Sequence, residues 1–298
     1  MMSLPAGPNP APLDQRFRSG FTLVELIVVM LITSVAALAI VMNYISQTKT
    51  YAIQREMAHM QQNLRAAMYI MQNDIRNSGR DPLRLGRYGI TDILNYNADT
   101  DDPNGYPGLT LTSLTDQDGD GFVDEDAAAE QQIQYQVMDL NGDGRRELCR
   151  QMNAGGWVPI IDGIEDIGFA FSFDDGNGDL ARFNNNANGP EIWAFNNNGA
   201  NVLDTNLDTT GDGNIDVNDD LSAALNPVVE LNRIRAVRIW LLARSRTAYT
   251  DFVDRSIYVV GGKQLDLNDP ANAGRRNFRH LMTTGVVALQ NFQLDPGQ

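Results

Sequence analysis

The sequence predicts an α+β fold in which one long N-terminal helix packs on an antiparallel β-sheet head. Three observations carry that reading. No Gly or Pro interrupts the chain from Phe21 to Ser78. Within the second half of that run, apolar residues recur at spacings of three and four, the stripe of an amphipathic helix. Past Pro82 the period changes to two, and several strand-like runs follow one another. A helix followed by a series of strands is the pattern of an α+β domain.

The helix begins with a segment unlike the rest of this acidic chain. From Phe21 to Ile45 the residues are nearly all apolar, and Glu25 is the only charge. Twenty-five helical residues span about 37 Å, enough to cross a hydrocarbon core of about 30 Å. A secretory signal would end its apolar core at a small-residue cleavage site. Here the small residue, Gly20, precedes the apolar run and follows Arg16 and Arg18. Cleavage between Gly20 and Phe21 would remove a leader at 1–20 and leave 21–45 as a transmembrane and assembly segment. Glu25 then needs a partner, since a carboxylate at the centre of a bilayer costs about 2.5–3.5 kcal/mol on insertion scales. A new amine on Phe21, four residues away, can meet Glu25 of a neighbouring subunit and set the register of two helices.

The helix continues over 46–80. Ile53, Met57, Met60, Leu64, Ala67, Met71 and Ile75 form the stripe, with Gln54, Arg55, Gln61, Asn63 and Arg65 opposite. Gly79 and Pro82 supply the stop. A helix over 21–78 would be about 87 Å long. Its methionine-rich stripe is expected to be core under a sheet.

These residues carry a resemblance. "GFTLVEL" resembles the class III signal of type IV pilins and type II secretion pseudopilins. The resemblance implies that a prepilin peptidase cuts after Gly20 and methylates Phe21, and it places the family's assembly glutamate on Glu25. "AHMQQNLRAAMYIMQNDIRNSGRD" narrows the likeness to the PilW group of type IV minor pilins. "VRIWLLARS" and "FRHLMTTGVVALQN" resemble that group's closing strands. The likeness covers 18–82 well and 230–292 more loosely, and it also fits J-type minor pseudopilins of type II secretion. It implies a type IV pilin-like fold and a structural subunit that primes or caps pilus assembly in an initiation or tip complex. The implied partners are other minor and major pilins, the prepilin peptidase and the inner-membrane assembly machinery. The implied location is the inner membrane as a single-pass precursor, then the periplasm and a cell-surface pilus. A reading from another class is a membrane-anchored, calcium-dependent adhesin.

The head is expected over 81–298, with insertions at about 95–130 and 174–225. Gln132, Gln134 and Gln136 alternate with Ile133, Tyr135 and Val137, as in a half-buried strand. "FAFSF" (169–173), "IRAVRIWLLA" (234–243) and "SIYVVGG" (256–262) read likewise. The stretch at 184–201, "NNNANGPEIWAFNNNGAN", has the composition of a surface loop; Trp193 and Phe195 at its centre are expected to be simple packing residues, the other reading being that they cover an edge or touch a partner.

Three acidic repeats interrupt the head. A calcium ion takes six to eight oxygens, and an EF-hand-type loop supplies them from positions 1, 3, 5, 7, 9 and 12 with Gly at 6. "DTTGDGNIDVNDD" fills every slot, with Asp208, Thr210, Asp212, the Asn214 carbonyl, Asp216 and Asp219. It resembles a dockerin-type calcium loop, ending in Asp where many EF-hands have Glu. "DQDGDGFVDED" offers Asp116, Asp118 and Asp120, but Ala127 holds position 12, so Asp124 or Asp126 must serve. "DLNGDGRRE" offers Asp139, Asn141, Asp143 and Glu147 but has Arg150 at position 12. Its competing reading is a hairpin turn, because Asn-Gly and Asp-Gly are strong turn signals. Bound Ca²⁺ is expected to be structural. "DDGNGD" (174–179) lacks the key glycine and reads as a turn.

Composition narrows the function further. With 38 acidic against 23 basic residues, the chain lacks the clustered cations that nucleic acid requires. One cysteine, Cys149, closes no intramolecular disulfide and reads as a small core residue. His59 reads as a helix residue and His280 as a surface residue in a basic run. No phosphate loop, G-x-S-x-G or H-E-x-x-H is present, so no enzyme is expected.

Overall fold

The structure, a computed structural model, describes residues 21–78, 89–94, 108–114, 130–177, 179–198 and 200–289. One helix, α1, runs from Leu23 to Asn77. The chain divides into two units, Met1–Gln54 and Arg55–Gln298, with the boundary inside α1. The described part of the first unit is helical and almost wholly exposed. Its apolar stretch has mean hydropathy 2.7 with none of it buried, so by length and composition it can cross a membrane.

In the second unit α1 turns one face inward. Met60, Leu64, Ala67, Met68, Met71 and Ile75 are buried in the same core as the strands, and Met57 packs partly against it. That is the expected stripe from Met57 onward, with Met68 added. His59 is exposed. The helix ends at Asn77, where Ser78 N–H donates to the Asp74 carbonyl (2.9 Å) and Ser78 Oγ to that of Ile75 (2.6 Å).

Five strands form one antiparallel meander: β1 (Gly89–Leu94), β2 (Gly108–Leu114), β3 (Glu130–Met138), β4 (Glu147–Met152) and β5 (Val158–Asp162). Strand β3 follows the expected alternation, with Ile133, Tyr135 and Val137 buried and Gln132 exposed; Gln136 is the exception, being buried. Then come β6 (Ile164–Phe173), β7 (Ala194–Phe195), β8 (Val202–Asn206), β9 (Ala224–Glu230), β10 (Ile234–Arg244), β11 (Ile257–Val260), β12 (Lys263–Asp266) and β13 (His280–Ala288). Six of these form a second antiparallel sheet in the order β13-β10-β6-β7-β8-β9, while β11 and β12 make a two-stranded ribbon.

Strands β6 and β10 are the centre of the second sheet. All ten residues of β6 are buried, and Val237 of β10 sits between Phe171 and Val287 in register. Gly168 in β6 has a packing reason. A Cβ there would lie 2.5 Å from the backbone carbon of Val260, so the ribbon approaches β6 more closely than any side chain permits.

Polar clamps fix the inner half of α1. Asp74 accepts a hydrogen bond from the Tyr135 hydroxyl and pairs with Arg150 (2.9 Å). Burial, reinforced by that Asp74 bond, pushes the Tyr135 hydroxyl well above its ordinary pKa. Asn63 Nδ2 donates to the Asp162 carbonyl (2.8 Å). Glu56 accepts from the backbone N–H of Arg246 and from the Tyr249 hydroxyl.

Two expectations about the head need correction. Trp193, Ala194 and Phe195 are buried, and β7 lies inside the second sheet. The Asn-rich stretch is therefore not a surface loop at its centre. Asn196 is buried as well, and its Nδ2 donates to the Ile93 carbonyl (3.0 Å). Residues 174–225 thus supply β7, β8 and the start of β9. His280 is not a surface residue either. Its side chain is wholly buried, and Nδ1 lies 3.0 Å from Asp254.

Candidate functional site

Two regions bear on function: the start of α1 and the acidic loops of the head. At the start of α1, Thr22 and Glu25 bond reciprocally. Glu25 Oε2 accepts from Thr22 N–H (2.9 Å) and Thr22 Oγ1 (2.8 Å), while Glu25 N–H donates to Thr22 Oγ1 (3.2 Å). This is a capping box, Thr-x-x-Glu, which satisfies donors that a helix N-terminus otherwise leaves unpaired. Glu25 therefore has a partner within its own chain. The motif was legible in "TLVE", but the apolar context drew attention to the charge alone. Gly20 lies outside the described residues.

The 139–147 segment joins β3 to β4, so the hairpin reading holds for its topology. It also gathers acids. Ligand oxygens of Asp139, Asp143 and Glu147 all lie within 4.8 Å of one another, the one such group among the described residues. Asp139 accepts from the N–H of Asp143 (3.1 Å) and Gly144 (2.8 Å), which draws the turn closed. Glu147 is buried and accepts from Leu140 N–H (3.1 Å) and Asn141 Nδ2 (3.0 Å). Gly142 and Gly144 take positive φ, the conformation that bends the loop around its acids. Three hard oxygen donors at this spacing suit a cation such as Ca²⁺.

The 208–219 loop, the best match by sequence, uses its acids differently. Asp208 is buried and accepts from the N–H of Gly211 (2.7 Å) and Gly213 (2.8 Å). Asp219 accepts from the N–H of Thr209 (2.9 Å), Thr210 (3.0 Å) and Asp216 (2.9 Å). Burial pulls the Asp219 carboxyl up, but these donors outweigh it and hold it below the usual range. Asp212 accepts from Asn214 N–H (2.7 Å), and Asp216 from Asn218 N–H (2.8 Å). A cation is already present: Arg238 donates to the Gly213 carbonyl (3.0 Å), is attracted to Asp208 and stacks 4.1 Å from the Trp193 ring centre. The spacing rule sees carboxylates but not an arginine arriving from β10. The repeat at Asp116, Asp118, Asp120 and Asp124 lies outside the described residues. Cys149 is buried, and burial pushes its thiol up to about 11, the state of an inert core residue.

Residues 15–41 match the prokaryotic N-terminal methylation motif. Residues 122–291, more than half of the chain, match the type IV pilus-assembly protein W family. The chain belongs to the PilW family. The match takes in β3 to β13, both the 139–147 and 208–219 loops, and the clamped strands that receive α1. PilW membership implies interaction with other pilins and with pilus assembly machinery. Among solved structures, a type IV-like pilin from Thermus thermophilus is similar at 13% identity and a TM-score of 0.39, over 78% of this chain and 97% of that one. No curated protein matches.

Proposed function

We propose that this PilW-family chain is a minor pilin that primes or caps pilus assembly, made as an inner-membrane precursor and cut between Gly20 and Phe21. Its role is structural. The observation that carries the reading is the methylation-motif match at 15–41, placed on a helix whose apolar half is exposed in the chain itself. That surface calls for lipid first and the apolar helices of other pilins afterwards. In this reading Phe21 is methylated by the prepilin peptidase. Glu25 then meets the amine of a neighbouring subunit by exchanging part of its capping box for that cation.

Calcium would brace the head. Asp139, Asp143 and Glu147 are the residues placed to hold it, with Asn141 beside them. The set at Asp208, Thr210, Asp212, Asn214, Asp216 and Asp219 is the second candidate, and Asp116, Asp118, Asp120 and Asp124 the third. A bound divalent cation reverses the mutual repulsion of the carboxylates and lets the turn close.

Intact-mass and N-terminal sequencing of the protein from sheared pili tests the assignment. The expected result is a chain starting at Phe21 with one added methyl group. A chain in pili that keeps residues 1–20 would overturn the processing reading, and recovery only with secretion pseudopilins would move the chain to that machinery.

A further inference from the structure

A cavity of about 490 Å³ lies between α1 and the start of β13, with Met57, Phe252, Asp254, Tyr258, Arg279 and His280 in its wall. Residues 245–254 form a strap that ties these elements together. Towards α1, the N–H groups of Arg246 and Thr247 and the Tyr249 hydroxyl all donate to Glu56. Towards β13, Ser245 N–H donates to the Arg279 carbonyl (2.8 Å), Tyr249 N–H to that of Asn277 (2.7 Å) and Asp254 N–H to that of Arg276 (2.7 Å). The Arg279 guanidinium lies 4.2 Å from the Phe252 ring centre and 5.2 Å from that of Tyr249.

The far end of the strap meets His280. Asp254 Oδ1 accepts from Ser256 N–H (3.0 Å), while Oδ2 accepts from the Tyr258 hydroxyl (3.0 Å) and lies 3.0 Å from His280 Nδ1. Burial pulls the Asp254 carboxyl up, but these donors outweigh it and hold it below the usual range. Facing a carboxylate, Nδ1 carries the proton of the neutral ring, and Nε2 is left bare. Nε2 is buried and, among the described residues, has no hydrogen-bond partner. A second proton would put an N–H where nothing accepts it, on a side chain that is 0% exposed. Burial therefore disfavours the charged ring. Asp254 and Glu165 of β6 favour it, Arg244 of β10 opposes it, and burial prevails, so the imidazole is held below its ordinary range. Arg255, Tyr258 and Arg279 share the cavity, and Glu56 of α1 is already engaged by the strap.

We propose that the strap is an acid-released latch: a second proton on the buried ring of His280 opens residues 245–258 and loosens their grip on Glu56 of α1. The opened strap exposes an imidazole with its ordinary pKa of about 6.5. The open state then binds more protons than the closed one, so the latch holds above about pH 6.5 and weakens as pH falls through that value. The ordinary pKa also limits the gain in opening to about tenfold at pH 5.5. The device is independent of calcium bracing and of leader processing.

The test is amide hydrogen exchange of the full chain in non-ionic detergent at pH 7.5 and 5.5, with exposure times scaled to the intrinsic rate and chelator present so that metal loading does not vary. The expected result is a loss of protection of several-fold, up to about tenfold, in peptides over 245–258 at pH 5.5, with peptides of β6 unchanged. His280→Asn keeps a side-chain N–H for Asp254 but takes no second proton, so its strap should be equally protected at both values. His59→Gln removes the other of the two histidines and should behave as the unmutated chain does. An unchanged or better protected strap at pH 5.5 overturns the proposal, as does an equal acid loss in His280→Asn. If His280→Asn does not fold, carbon-13 NMR of His59→Gln decides, because His280 is then the one imidazole to titrate. A midpoint below about 6.5 supports the latch, and a midpoint at or above it overturns the latch.

Discussion

Asp143→Asn separates calcium bracing from a plain acidic turn. Asp143 is exposed, and its Oδ1 accepts from Arg145 N–H (2.9 Å), a bond that the carbonyl of Asn can keep. The substitution therefore removes charge without removing the turn. Ligand oxygens within 4.8 Å repel by about 0.9 kcal/mol or more per pair at the dielectric of water, less after salt screening. Without calcium, Asp143→Asn should thus be as stable as the unmutated chain, or more stable by about 1 kcal/mol. With calcium the order reverses. A site with Kd near 10⁻⁴ M, in about 1 mM free calcium, contributes roughly 1.4 kcal/mol. For a domain of this size that is a rise of roughly 3–6 °C in Tm. The assay is thermal melting of the full chain in detergent, with calcium, with magnesium and with chelator. Residues 80–298 alone are unsuitable, because Met60, Leu64, Met71 and Ile75 belong to the same core. An equal calcium shift in Asp143→Asn and in the unmutated chain would refute the assignment to this loop. Loss of the shift in Asp212→Asn instead would move it to 208–219.

Three further predictions concern the helix and its clamps. Glu25→Gln keeps the capping box, which accepts Glu or Gln, but loses the charge, whereas Glu25→Leu loses both. If charge pairing drives assembly, both variants should insert into membrane yet fail to enter pili, as measured by immunoblot of sheared filaments; normal piliation by Glu25→Gln would leave capping as the function. Asp74→Ala strands Arg150 and the buried Tyr135 hydroxyl and should cost about 3 kcal/mol, read as a lower denaturant midpoint; a loss under about 1 kcal/mol would count against the clamp. The Tyr135 hydroxyl is raised by burial and by Asp74, and Tyr258 is pushed up to about 12 by burial. In each case the unfolded chain loses its proton first, so stability is present below pH about 10 and falls above it. Tyr135→Phe should flatten that alkaline decline, and an unchanged pH profile would contradict the assignment.

The helix and its stripe were legible because their signal is local and repeats over many turns. Strands β6 and β10 were legible for the same reason, as runs of Ile, Val, Leu and Phe. The buried Trp193–Phe195 segment was hidden because β7 is only two residues long and its neighbours are asparagines. What makes it core is pairing with Phe171 and with Thr205 and Asn206, which no short window contains. His280 was misread for a related reason: its partner, Asp254, lies 26 residues earlier. The order of the acidic loops depended on which one gathers its carboxylates in space. Spacing favoured 208–219, but among the described residues only 139–147 brings three ligand oxygens within 4.8 Å of one another; an arginine of β10 reaches each loop, Arg238 the Gly213 carbonyl and Arg244 the Gly144 carbonyl.

The clamps also set an order of events for the growing chain. Glu56 waits for Tyr249, 193 residues later, and Met68 and Gln72 come to lie against Gly285 in the last strand. At roughly 5–20 residues per second, the interval from Glu56 to Tyr249 is about 10–40 s. Early in that interval the first half of the helix can already be in lipid, while Met60, Leu64, Met71 and Ile75 have no sheet to cover them, and the second sheet stays incomplete until β13 is made. The newborn subunit is therefore a membrane-tethered chain with a sticky stalk, and it becomes assembly-competent only when its closing strand arrives. A chain cut short before β13 would keep its address in the membrane but leave that stalk exposed, a form that quality-control proteases and chaperones are suited to recognise.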